Sequence, residues 1–436
     1  MDRRLFLSAL LVFSLSGSAV TGETATEHVF SLDQSVQRAF QNNQQILAAF
    51  EDIRVAEQRV IEAKSQYYPK VGLNFNVSRY RAEDDFVTPP DFGSTFLRAN
   101  TVSPEEAMFT TTRLWMRQPL YAAGRMNNTV RLAQANQERA RIRYEEVRNQ
   151  VLYQTTRAFY DLLLERKRIR FYEELNRKVQ DVGASLPATS EALMDVRKKQ
   201  RDLRRELADL KRREEKAALT YLSIIGLELY TKIDIVGELK TAPLPLELQK
   251  LLAWANEHRL ELRRTEYQQE IDKVAVSLSM SERYPTVSFG AGYQVDEPDD
   301  RVFPRSEKTS NWVATLNVSL PIFDGFSSRA RIRQSRIQAN QNQIFKAEIE
   351  DQINREVREA FVDFQFWQSE MAIREQELKN LEASISSGAS GKNVMDRIRA
   401  EESILEARLS YWEAVHGHIL AVARLEKAVG KTLTTL

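Results

Sequence analysis

Ala314-Thr315-Leu316-Asn317-Val318-Ser319-Leu320-Pro321-Ile322-Phe323-Asp324-Gly325 decides the fold. Ala314, Leu316, Val318 and Leu320 alternate with Thr315, Asn317 and Ser319, the period of a strand with one apolar and one polar face. Beyond Pro321 and Gly325 the pattern changes to a long, charged, helix-period segment. A strand therefore runs straight into a long helix. The chain makes the same move earlier, at Leu114-Trp115-Met116-Arg117-Gln118-Pro119-Leu120-Tyr121-Ala122-Ala123-Gly124. Pro119, Gly124, Pro321 and Gly325 are the expected strand-to-helix corners.

The two copies keep register. Pro119 to Pro321 is 202 residues, as is Ala158-Phe159-Tyr160-Asp161 to Ala360-Phe361-Val362-Asp363. Tyr68-Pro69 recurs 216 residues on at Tyr284-Pro285, and Gly226 recurs 204 residues on at Gly430. A repeat of this length is a duplicated half, not a solenoid unit. We expect a first half over 31–226, a connector over 227–245 with a strand-like 232–236, and a second half over 246–431.

Each half has the order helix, Tyr-Pro, strand, polar loop, strand, Pro corner, long helix, turn, helix. That order, with both copies of each motif, resembles the TolC family of outer-membrane efflux and secretion channels. The resemblance covers nearly the whole chain, from Ser31 to Lys431.

Composition narrows the alternatives. The 436 residues include no Cys, which excludes a disulfide framework, a thiolate metal site and a Cys nucleophile. The lipidated N-terminal Cys of some TolC relatives is absent too. Lys and Arg number 62 against 61 Asp and Glu, so there is no basic excess for nucleic acid. Only 15 Gly and 12 Pro among so many charges favour long solvated helices.

Residues 1–19 read as a signal peptide: Arg3-Arg4, the apolar run from Leu5, then Gly17-Ser18-Ala19. Arg3-Arg4-Leu5-Phe6-Leu7 also fits a twin-arginine pattern. Ser31-Leu32-Asp33-Gln34 fits a capping box and starts a helix expected to run to Gln66. Strands are expected over 71–78, 110–120, 286–295 and 312–320, with polar loops over 81–108 and 296–308. Trp115, lying among arginines, reads as an interfacial aromatic. The segment 126–179 holds no Gly or Pro and carries a three-four seam through Tyr144, Val147, Val151, Ala158, Leu162, Ile169, Tyr172 and Val179. A second seam follows Ile353, Val357, Phe364, Trp367, Met371, Leu378, Leu381 and Ile385. A single helix is expected from 246 to 283.

Four strands do not close a barrel, and an open edge in lipid leaves backbone groups unpaired. Strands that enter a membrane therefore require several chains, and three give twelve strands, an allowed number. The expected fold is mainly α with a small β part. Long coiled-coil hairpins join four transmembrane strands per protomer, in a trimeric 12-stranded barrel continued by an α-helical tunnel.

The resemblance implies the same homotrimer, set in outer-membrane lipid with its tunnel in the periplasm. It implies a passive exit duct, with no cofactor and no catalysis, that meets an inner-membrane transporter through a periplasmic adaptor. Drug efflux and type I secretion both use such a duct.

It also implies that the helical tips form the gate and adaptor contact. The matching residues are Gly183 with Asp195-Val196, and Gly388 or Gly391 with Asp396. Arg399 stands where the family often has a further acid, so a purely acidic constriction is not implied. Asp396 and Arg399 also sit at i, i+3, where they pair on a helix face.

His416 and His418, two residues apart, do not share a helix face. A soluble periplasmic coiled-coil adaptor or scaffold would explain the helices and leader. It would not explain two symmetric pairs of alternating strands.

Overall fold

The computed structural model describes residues 28–80, 107–187, 191–241, 244–298, 308–385 and 394–433. The leader reading over 1–19, most of both polar loops, and the tip residues Gly388 and Gly391 lie outside them. The elements run β1 (His28–Phe30), α1 (Leu32–Asn42), α2 (Gln44–Ser65), β2 (Lys70–Tyr80), β3 (Ala107–Tyr121), α3 (Arg125–Ala184) and α4 (Glu191–Ile225). They continue β4 (Ile233–Ile235), α5 (Leu248–His258), α6 (Leu260–Ser281), β5 (Thr286–Pro298), β6 (Thr309–Ser319), α7 (Ser327–Ser384) and α8 (Val394–Val429).

Absence of breakers makes the long helices. The 60 residues of α3 at about 1.5 Å each reach roughly 90 Å, and the 58 of α7 nearly as far. The α3 seam buries Val151, Ala158, Leu162 and Val179, and the α7 seam buries Ile353, Val357, Phe364 and Met371. Burying each of these side chains larger than alanine is worth about 1.5–3 kcal/mol. At mid-height two counterpart cores form, one around Phe159, Tyr221 and Ile225, the other around Phe361, Leu425 and Val429.

Two helices expected to be continuous are broken. The helix from Ser31 opens with its capping box, Ser31 N–H donating to Gln34 Oε1 at 2.9 Å, but stops at Asn43. Asn43 is extended (φ −66°, ψ 124°); its Oδ1 caps α2 and its Nδ2 donates to Ile224 O at 2.9 Å. The helix from 246 breaks likewise at Arg259 (φ −66°, ψ 123°), whose Nη1 donates to Ala428 O at 2.9 Å. Each break accepts the end of the returning helix, and its side chain satisfies one of that helix's orphan carbonyls. Asn43 and Arg259 differ by 216, while Ile224 and Ala428 differ by 204, the offsets of the duplicated motifs.

The strand-like stretch at 232–236 is the three-residue β4. It pairs in parallel with β1, a strand that the sequence pattern had not marked. The four long strands form one antiparallel sheet, ordered β2-β3-β5-β6.

Pro119 lies inside β3, at an irregularity between Pro119 and Tyr121 where pairing ends. Each corner then turns through two left-handed residues, Ala123 (φ 48°) with Gly124 (φ 76°), and Gly325 (φ 64°) with Phe326 (φ 67°). One glycine per corner spares half of that cost. Asp324 Oδ2 accepts from Ser328 N at 2.8 Å and caps the start of α7.

Candidate functional site

Strand register assigns each side chain of the sheet to a face. Val71, Leu73, Phe75 and Val77 share one face with Leu114 and Met116. Leu114 pairs with Tyr293 and Met116 with Ala291; these pair in turn with Trp312 and Ala314. This face is apolar and open: Leu73 is 68% exposed, Phe75 65% and Trp312 79%. An apolar face of this size, on strands of 11 to 15 residues, is built for lipid.

The opposite face is polar. It carries Lys70, Asn74, Asn76, Arg113, Arg117, Thr111, Gln294 and Asp296, with glycines at 72, 290 and 292. Asp296 is buried and accepts from Thr111 Oγ1 at 2.9 Å and from Gln294 Nε2. Trp115 belongs here, which corrects its reading as an interfacial aromatic. Its indole lies against Gly72, where an added Cβ would stand 2.7 Å from the ring, and its Nε1 donates to Asn74 Oδ1 at 3.2 Å. Six exposed aromatics gather at the corners: Tyr67, Tyr68, Tyr121, Tyr284, Phe323 and Phe326. Ile322 beside them is 95% exposed, and Phe323 meets Phe326 edge-on at 5.4 Å. A band of this kind marks one rim of a membrane-facing strand layer.

Below the sheet the helices continue its order, with α2 against α3, α3 against α6 and α6 against α7. Sheet and helix layer therefore end together, at β2 and α2 on one side and at β6 and α7 on the other. Both edges carry exposed apolar side chains, Leu47, Phe50 and Ile61 on α2, and Ile337 and Ile344 on α7. The α7 edge continues downward through Val362, Phe366 and Ile373.

At the far end the hairpins α3–α4 and α7–α8 share a core of Leu175, Val179, Val196, Leu203, Ile398 and Leu405. Gly183, in the last turn of α3, lets α4 approach; a Cβ there would stand 3.1 Å from Val196 Cγ1. Val196 is buried, while the adjacent Asp195 is exposed. Arg399 Nη1 reaches Asp396 Oδ1 at 3.4 Å in the first turn of α8. Lys178 binds Glu401 at 2.8 Å, and Lys199 pairs with Glu402, so both hairpins are tied side by side. The Glu401 carboxylate holds the Lys178 ammonium above the usual lysine range.

His416 and His418 serve packing. His416 Nε2 meets Asp161 Oδ1 at 2.8 Å, joining α8 to α3. His418 Nδ1 meets Thr241 Oγ1 at 2.8 Å, and burial pushes its pKa down. Among the described residues no three metal-ligating side chains converge, and no helix is long and apolar enough to cross a membrane.

A family model described as outer membrane efflux protein matches residues 35–219 and 251–431. The chain belongs to that family. It is 22% identical to the outer membrane efflux protein BepC of Brucella suis over 433 residues, covering 96% of this chain and 88% of BepC. The fold matches the CmeC outer membrane channel of Campylobacter jejuni with a TM-score of 0.71 at 14% identity, covering 97% and 94% of the two chains. It matches CusC, whose structures are described as following transmembrane channel formation, with a TM-score of 0.70 at 17% identity over 92% of each chain. At these identities the solved structures share the fold. Membership of the efflux family places the chain in the outer membrane. The sheet with one apolar and one polar face is thus the membrane part of an efflux-family channel, and the long hairpins are its helical part.

Proposed function

We propose that the chain is the outer-membrane exit duct of a tripartite efflux pump, closed as a homotrimer. The carrying observation is the pair of open edges that runs without interruption from sheet to helices. An edge strand in lipid leaves each unpaired backbone group at a cost of several kcal/mol. Joining β6 and α7 of one copy to β2 and α2 of the next removes both edges together. Because all sheet neighbours are antiparallel, the new pair is antiparallel too, and three copies give twelve strands.

The two halves, 31–226 and 246–431 about the connector 227–245, would each supply two strands and one hairpin. The apolar face would meet lipid and the polar face water. The hairpin tips, with Gly183, Asp195, Asp396 and Arg399 and the neighbouring Gly388 and Gly391, would form the periplasmic gate and the surface met by an adaptor protein. Through that adaptor an inner-membrane transporter would feed the duct. The same architecture would serve type I secretion; the efflux family description favours small cargo. A soluble scaffold is disfavoured by the exposed apolar sheet face.

The chain has no cysteine, which makes a crosslinking test clean. Across α3 and α6, Arg131 meets Glu270 and Arg139 meets Gln268. The 202-residue offset carries α3 positions onto α7 and the 216-residue offset carries α6 positions onto α2, so a neighbouring copy's α2 docked on α7 as α6 docks on α3 brings the exposed Val55 close to Ile337. The variant combining Val55→Cys and Ile337→Cys should give, on oxidation of outer membranes, a ladder ending at three chains. Single variants should give none. A double variant that stays monomeric would refute the closure.

A further inference from the structure

We propose that the inner wall of the helical layer, just below the sheet, is an anion-attracting belt that recruits and passes anionic or zwitterionic cargo through acidic headgroups such as sulfonate, carboxylate or phosphate. This rests on the channel reading above and adds a cargo class to it.

A cavity of about 860 Å³ is bounded by α2, α3, α6 and α7 together. Helices that pack in the order α2–α3–α6–α7 meet in one space with both outermost members only on the concave side of the array. That side is the lumen of a closed ring. The cavity is lined by Arg59, Arg139, Arg143, Arg264 and Lys346. The carboxylates that line it are Asp52 and Glu348. Nearby acids are engaged: Glu146 sits between Arg143 at 3.1 Å and Arg264 at 3.4 Å, and Glu350 is 3.8 Å from Lys346. Asp272 is held by Gln268 and Asn342. Arg59 and Arg139 are exposed, and neither has a carboxylate within ion-pair distance among the described residues. Arg139 donates only to Gln268, at 2.9 Å.

The excess is local. Over 44–65, 125–150, 260–281 and 327–356 there are eighteen Lys and Arg against fifteen Asp and Glu. The cavity lining alone has five against two; with Glu146 and Glu350 paired to Arg143, Arg264 and Lys346, the cations of that wall left without a carboxylate among the described residues are Arg59 and Arg139. The register of the sheet adds an independent observation. On its polar face the exposed charges are Lys70 and Arg117, cross-strand partners, while the single acid of that face among the described residues, Asp296, is buried and hydrogen-bonded. Cargo leaving through the duct would pass both cationic levels in turn. A concave wall of one charge sign focuses potential, and rings of Arg or Lys are the usual device of anion pores.

The test uses the full-length protein in planar lipid bilayers, with pyrenetetrasulfonate as the anionic probe and a compact tetra-amine as its cationic counterpart. At about 0.1 M salt the tetrasulfonate should block the current and the tetra-amine should not. At 1 M salt, where screening acts within about 3 Å, the block should largely vanish. Arg59→Gln with Arg139→Gln should weaken the block by about tenfold. Arg59→Lys with Arg139→Lys should restore it. Lys273→Gln, which removes an exposed α6 charge that does not line the cavity, should leave it unchanged. Tetrasulfonate block that is absent, or equal in the wild type and the double Gln variant, would overturn the proposal while leaving the channel reading intact. Absence of current in every variant would defeat the channel reading as well.

Discussion

Gly226 ends α4 where it meets the break between α1 and α2, and its replacement by alanine separates two physical costs. Gly226 has φ 69°, a region where a Cβ costs about 1–2 kcal/mol. Its added Cβ would also stand 2.7 Å from Asn42 O, a backbone atom that a side-chain rotation does not move. Overpacking of this kind costs a further 1–3 kcal/mol or about that. Gly325 has nearly the same φ, 64°, but nothing within 4 Å of its Cβ direction. Gly325→Ala should therefore carry the conformational cost alone, and Gly226→Ala a total of about 2–5 kcal/mol.

Hydrogen exchange read by mass spectrometry reports this locally, without requiring reversible unfolding of a membrane protein. At about 1.4 kcal/mol per tenfold, peptides covering 36–46 and 218–230 should exchange at least 30-fold faster in Gly226→Ala. Gly325→Ala should quicken exchange only near its own corner, by about 5- to 30-fold by the same conversion. Unchanged protection over 218–230 in Gly226→Ala, or an equal effect of both variants there, would refute the junction geometry.

Arg259→Met should destabilise the second junction by about 1–3 kcal/mol, because it leaves Ala428 O without its donor, while Glu261 and Glu356, each about a third exposed, are partly compensated by water. The same variant carries a pH signature. Burial alone would raise the Glu356 carboxyl, but hydrogen bonds from Gln352 and Arg259 outweigh it and hold the pKa below the ordinary glutamate range. A depressed carboxyl contributes stability that is present above its unfolded value, about 4.3, and lost as pH falls through the folded value. Melting temperatures of the wild type should thus fall off below about pH 4, and Arg259→Met should show a flatter acid limb; parallel limbs would contradict the assignment. Gly72→Ala should push the Trp115 indole off the wall into the barrel and lower single-channel conductance, and an unchanged conductance would sink that packing.

Periodicity made the strands and the long helices legible, because each rests on its own side-chain pattern. Val71 to Val77 alternate, and Val151, Ala158 and Val179 keep one helical face. The breaks at Asn43 and Arg259 were not legible, because nothing local forbids a helix there. They exist because a distant helix delivers Ile224 O or Ala428 O to that point. Trp115 shares parity with Arg113 and Arg117, which puts it on the polar face; aromatic character alone does not tell a barrel wall from a membrane rim. The strand β1 is three residues long and is a strand only by virtue of Ile233–Ile235. The cationic belt was invisible for the same reason as the junctions. Arg59, Arg139, Arg264 and Lys346 come from four helices that only the folded layer order brings to one wall.

The most direct test of the account is the native mass of the protein extracted from purified outer membranes in mild detergent. Closure of the two edges predicts a species of three mature chains, recovered only with detergent. A monomer or dimer released by salt alone would contradict the channel and return the chain to the class of soluble coiled-coil scaffolds.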